Sequence, residues 1–148
     1  MIHLGFTGTQ RGMTAHQGER LWDLIRHCDF YAHHGCCVGA DEEFDAIARL
    51  APGLRGFVFH PCDLPLKQFK FSRDILRDDV RPIKRPLDRN QDIVDECSCM
   101  VATPKESAPQ LRSGTWATLR RALGAKRPVA IILPSGAIVH DGPAWPGI

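Results

Sequence analysis

Two hydroxyls, two glycines and a guanidinium fall within Thr7-Gly8-Thr9-Gln10-Arg11-Gly12, directly after a short apolar run. Glycine lets a backbone approach a phosphate, hydroxyls donate to its oxygens, and arginine pairs with it as a charged fork. Ser113-Gly114-Thr115 repeats that chemistry far along the chain. Between them, Gly35-Cys36-Cys37-Val38-Gly39-Ala40-Asp41 brings Gly35 and Gly39 beside a carboxylate, and Asp88-Arg89-Asn90 supplies an N-cap, a cation and an amide. Asp41 can accept from ribose hydroxyls or act as a base. It equally suits the first turn of a helix, with Glu42 and Glu43 behind it. Arg89 at a cleft mouth would clamp a phosphate or carboxylate; on a solvent face it would be unremarkable. Each turn alone is a weak signal, because a turn glycine and a serine N-cap are routine structural devices. None is G-x-G-x-x-G or a P-loop.

These turns must be held by strands and helices, and the pattern around them is an alternation of the two. Ile2–Phe6 reads as the first strand. Thr14 and Gln17 form a capping box, and Leu21, Leu24, Ile25 and Cys28 make one helical stripe. Phe30–His34 is a second strand, and a second helix runs from about Gly39 to Leu50 on Phe44, Ile47, Ala48 and Ala51. Gly56–His60 is a third strand. Residues 62–87 then form a long connection, in which Phe69, Phe71, Ile75, Leu76 and Val80 predict one short helix. Such a length is more often a lid or binding loop than a plain linker. A helix begins near Asp88, Cys99–Thr103 is a fourth strand, and Trp116, Leu119 and Leu123 stripe the last helix, with Gly124 as its C-cap. Val129–Leu133 is apolar throughout, as a strand buried on both faces would be. Ala137–His140 adds one small strand.

The alternation predicts an α/β fold. Its form is a doubly wound parallel sheet of about five strands with helices on both faces, as one domain over 1–148. The expected order, 3-2-1-4-5, sets the Gly8 and Gly114 loops on either side of the topological switch. Ligands bind there in open parallel sheets, and helix N-termini receive anions.

A formal net charge of +2 is too small to argue for nucleic acid or a membrane surface. No apolar run approaches the ~20 residues of a membrane span, and Met1–Phe6 lacks the makings of a signal peptide, so a cytoplasmic location is expected. The six cysteines include no C-x-x-C pair. Cys36-Cys37 and Cys97-x-Cys99 are poor zinc clamps, even with His33 and His34 adjoining. Reduced core thiols, with no metal and no cofactor, are the expectation.

In combination, His34-Gly35-x-x-x-Gly39-Ala40-Asp41, then Arg89-Asn90 with Ile93-Val94, then Ser113-Gly114-Thr115-Trp116-Ala117-Thr118, resemble the SLOG superfamily. That group joins the DNA-processing protein DprA/Smf with the cytokinin-activating LOG phosphoribohydrolases. The likeness is nearest to small stand-alone members similar to YspA and YpsA, and it runs from Leu4 to about Leu133. The resemblance implies a Rossmann-like fold that binds nucleotides or nucleotide-derived ligands. LOG enzymes carry P-G-G-x-G-T-x-x-E in the last loop; here the double glycine is absent and Thr118 stands in place of the glutamate.

Three functions follow as expectations. The first is a sensor or carrier of a small nucleotide-like ligand, held by Thr7, Gly8, Thr9, Arg11, Gly35, Gly39, Arg89, Asn90, Ser113, Gly114 and Thr115. The second is an N-glycosidase acting on a nucleoside monophosphate, with Asp41 as its carboxylate. The third is a single-stranded nucleic acid binder using the basic residues of 67–89, against which the interleaved Asp74, Asp78 and Asp79 argue. A homodimer is compatible with all three.

Overall fold

A computed structural model of the chain describes residues 1–146. Seven strands build one sheet: β1 (Ile2–Gly8), β2 (Phe30–His34), β3 (Leu54–Phe59), β4 (Asp79–Val80), β5 (Cys99–Thr103), β6 (Val129–Ile132) and β7 (Ile138–Asp141). Their order is β4-β3-β2-β1-β5-β6-β7. Every neighbouring pair is parallel except β6–β7. The five central strands therefore stand in the expected order, and the sheet is two edge strands wider than expected. β7 is the small strand read near Ala137–His140, folded back antiparallel on β6.

Four helices cover the two faces: α1 (Ala15–Ile25), α2 (Ala40–Leu50), α3 (Pro86–Glu96) and α4 (Gly114–Gly124). One core joins Leu21, Leu24, Ile25, Phe44 and Ala48 of α1 and α2 to Leu4, Phe6, Phe30, Ala32 and Phe57 of the sheet. The other joins Ile93, Val94, Trp116, Leu119 and Ala122 of α3 and α4 to Met100, Ala102, Val129 and Ile131. β5 and β6, covered on both faces, are buried along their whole length. The fold is thus a Rossmann-like α/β sandwich. Among the described residues no helix is long and apolar enough to cross a membrane.

The capping box forms as the sequence predicts. Thr14 Oγ1 accepts from the Gln17 N–H, and Gln17 Oε1 accepts from the Thr14 N–H. The same Gln17 is buried and donates to the carbonyls of Pro104 and Ile132, so it also ties α1 to the ends of β5 and β6.

Two local expectations are corrected. Residues 62–85 hold no α-helix; they contain one 3-10 turn at Pro65–Lys67 and the two-residue β4. The chain instead bonds across to the β2–α2 turn, with Val38 N–H donating to Lys67 O and Phe69 N–H to Cys36 O. Phe69 and Phe71 pack on the first core while Ile75 and Leu76 stand exposed, which an amphipathic helix would not allow. In addition, α3 starts at Pro86, with proline in the first turn where its missing N–H costs nothing. Asp88 is not the N-cap; it lies in the first turn and faces Arg85 at 3.3 Å.

Candidate functional site

β1 and β5 are neighbours, yet β1 leads into α1 on one face and β5 into α4 on the other. The crevice this opens at the carboxyl edge is a cleft of about 900 Å³. All four segments singled out in the sequence reach it: Thr7 to Arg11, then Gly35 and Asp41, then Arg89 and Asn90 of α3, then Ser113 to Thr115. Of the expected residues only Gly39 is not part of the wall. It sits behind, with φ at +89°, and a Cβ built on it would overlap the Gln10 carbonyl. Gly39 therefore lets the first and second turns touch.

The other glycines divide by what crowds them. A Cβ on Gly8 would stand 2.5 Å from Ala40 Cβ and 2.5 Å from Thr103 Oγ1, and one on Gly35 would strike the Arg89 guanidinium. Both are required by packing. Gly114 has nothing within 4 Å of a built Cβ and no positive φ. Its lack of a side chain answers no need inside the protein and leaves backbone exposed to the cleft.

Gly114 opens α4. Ser113 Oγ caps the helix by accepting from the Trp116 N–H at 3.3 Å, and the Ala117 N–H bonds Ser113 O. Among the described residues the N–H groups of Gly114 and Thr115 have no acceptor. The β2–α2 turn is the opposite case. Asp41 Oδ2 accepts from the N–H groups of Gly35 and Cys37, both at 3.1 Å, and Cys36 N–H bonds His34 Nδ1. With Val38 N–H on Lys67 O, all four N–H groups from Gly35 to Val38 are taken.

Asp41 is buried, and burial pushes its carboxyl above the ordinary carboxylate range, against the pull of His34, Arg89 and those two N–H groups. Its position suits a buried brace of the turn better than a free base. Arg89 is buried too. Its guanidinium donates to the carbonyls of Gly35 and His60 and to Asn90 Oδ1, and reaches Cys37 Sγ at 3.6 Å. It forms part of the cleft floor and supplies positive charge from there. Burial, with Asp41 beside it, pushes the Cys37 thiol up to about 11, so at neutral pH it is no thiolate nucleophile.

Four charged residues of the wall were not singled out from the sequence, three of them cations. Lys67 belongs to the long connection, while Lys105 and Arg112 come from the polar loop before α4; all three line the cleft. With Arg11 and Arg89 they set five cationic side chains against two carboxylates, Asp41 and Glu106. Arg11, Lys67 and Arg112 are exposed and have no ion-pair partner among the described residues. Glu106, half-buried, accepts from the Trp116 indole N–H at 3.1 Å and faces Lys105 at 3.9 Å. The only signal that could have found it is the polarity of residues 104–112, which does not say which charge turns inward. No protein-family model matches the sequence, and no curated protein matches it.

Proposed function

We propose that the chain binds a nucleotide or nucleotide-derived anion in this cleft, as a sensor or carrier. One observation carries the reading: the unaccepted N–H groups of Gly114 and Thr115 lie in a cleft where Arg11, Lys67 and Arg112 have no acidic partner. A helix N-terminus and unpaired cations together favour a phosphate. The volume of about 900 Å³ leaves room for a base and sugar beside it. The resemblance to the SLOG superfamily points to the same ligand class. Calorimetric titration with nucleoside mono-, di- and triphosphates tests it. Saturable binding that weakens in Arg112→Ala is expected; the absence of binding by any of them, or equal affinity in Arg112→Ala, would refute it.

A second reading, cleavage of the N-glycosidic bond, is favoured by a different residue from the one the sequence suggested. Asp41 is occupied by the turn, whereas Glu106 stands in the cleft with one oxygen oriented by Trp116. In that reading Glu106 activates water or stabilises the oxocarbenium-like sugar. Chromatography of free base from nucleoside monophosphates decides between the readings. Release lost in Glu106→Gln and kept in Asp41→Asn would establish turnover with Glu106 as its carboxylate. No release by wild type leaves the carrier.

A further inference from the structure

On the α3 side of the sheet, away from the cleft, β2, the residue after β3 and the end of α3 converge. One ring nitrogen of His33, one of His60 and a carboxylate oxygen of Glu96 lie within 4.8 Å of one another. We propose that His33, His60 and Glu96 form a binding site for a divalent transition-metal ion of the zinc class.

The donor set is two imidazoles and a carboxylate, which suits zinc, cobalt or nickel and not the oxygen-seeking magnesium or calcium. Both rings are almost fully buried, each about 1% exposed. Burial, with the neighbouring rings and Arg81, pushes His33 down to about 2 and His60 down to about 3, so both rings are uncharged at neutral pH. Both nitrogens of His33 are engaged, by His3 and by His60, so the His33–His60 hydrogen bond gives way when the ion enters. A second observation is independent of the cluster. Among the described residues, His60 Nδ1 is buried without a hydrogen-bond partner. Buried ring nitrogens rarely stay unused, and an ion is one way to use this one. Ligating histidines also tend to be steadied through their other nitrogen. His33 is so held, with Nε2 at 2.9 Å from His3 Nδ1, while its Nδ1 stands 2.9 Å from His60 Nε2. His3 in turn stacks on Tyr31.

Arg81 is the competitor. It grips Glu96 through Nε at 2.8 Å and through its terminal nitrogen at 2.7 Å. Its side chain is 38% exposed, so it can swing into solvent and release the carboxylate. Lys84 already neutralises the nearby Asp92 at 2.6 Å. An ion would cross-link β2, β3 and α3. Because the His60 carbonyl accepts from Arg89, the clamp would reach the floor of the cleft.

The test uses untagged, chelator-stripped full-length protein, titrated with zinc against a chromophoric chelator and with cobalt by visible absorption. One ion per chain is expected. Glu96→Gln, at a half-exposed helix end where folding is not at stake, should weaken binding roughly tenfold or more, and His60→Gln at least as much. Arg81→Ala should move the other way and tighten it by freeing Glu96. No stoichiometric zinc at about 100 μM free metal, a Kd range far above that of any retained ion, would overturn the site. Affinity unchanged in Glu96→Gln would also overturn it, placing the ion on thiols such as Cys28 or Cys37. Weaker binding in Arg81→Ala would overturn the assigned geometry.

Discussion

Asp41 Oδ2 accepts two backbone N–H groups in a setting with little water, and His34, Arg89, Cys36 and Cys37 are the titratable groups around it. The folded chain holds this proton more tightly than the unfolded chain does, because burial raises the carboxyl from 3.8. Wild-type stability therefore carries a component that is full at low pH and is lost as the pH rises through the folded value. Asp41→Asn keeps an oxygen for the two N–H groups and removes that component. Urea unfolding of both proteins across the acid range should show the variant gaining on wild type as pH rises. Parallel stability profiles would mean that the carboxyl is not held in this way. The glycines give a paired prediction. Gly39→Ala puts a Cβ on the Gln10 carbonyl at φ +89° and should destabilise the fold by about 2 kcal/mol or more. Gly114→Ala meets open space, so thermal melting should be nearly unchanged while nucleotide affinity falls. A melting temperature lowered as far by Gly114→Ala as by Gly39→Ala would remove the contrast.

Elements were legible where the pattern that makes them is local. The i, i+3, i+4 stripes of Leu21, Leu24 and Ile25 and of Phe44 and Ala48, and the apolar run Val129–Ile132, are each decided within a dozen residues. The 62–85 connection is decided from outside. Its aromatic spacing resembles a helical stripe, but Phe71 is taken by Phe59, with ring centroids at 4.2 Å, and Phe69 by His34 at 5.6 Å. Its anchor is Asp78, almost fully buried, with Oδ1 accepting from the Phe57 N–H and Oδ2 from the Asp74 N–H, both at 2.8 Å. Nothing in the sequence marks Asp78 apart from its neighbours Asp74 and Asp79. The candidate site was legible in the same uneven way. Turn residues announced themselves by type, while Glu106 and Lys67 depend on how two loops fold over the crevice. Asp78→Ala should cost about 2–4 kcal/mol in urea unfolding, since two backbone donors, the Phe57 N–H buried and the Asp74 N–H half-buried, lose their acceptor at once. A loss under about 0.5 kcal/mol, the size of an ordinary surface change, would show that Asp78 does not anchor the segment.

Across the molecule about half of the basic side chains face an acidic partner. Arg20 faces Asp23, Arg55 faces Asp29, Arg81 faces Glu96, Lys84 faces Asp92 and Arg85 faces Asp88, all within 3.5 Å. Each such exposed pair adds little stability, but together they flatten the field around the protein. The formal excess of +2 is small, and three of the cations without an ion-pair partner among the described residues, Arg11, Lys67 and Arg112, gather at the cleft. A compact anion the size of the cleft meets all of them; a long polyanion leaving it meets Asp74 and Asp79 among the basic residues of the long connection. The two ligand classes should therefore part in one anisotropy experiment. A fluorescent nucleotide should bind, and its affinity should fall several-fold between about 0.05 and 0.5 M salt, as the Debye length contracts from over 10 Å to about 4 Å. A labelled single strand of about twenty nucleotides should show no binding at about 0.15 M salt, because without a continuous basic groove few phosphates are neutralised and few counterions released. Binding of the strand as tight as that of the nucleotide, with a steeper salt slope, would move the function from the cleft to the 67–89 surface. Loss of the nucleotide alone in Arg11→Ala with Arg112→Ala would keep it in the cleft, because only there do those two cations stand together with the free N–H groups of α4.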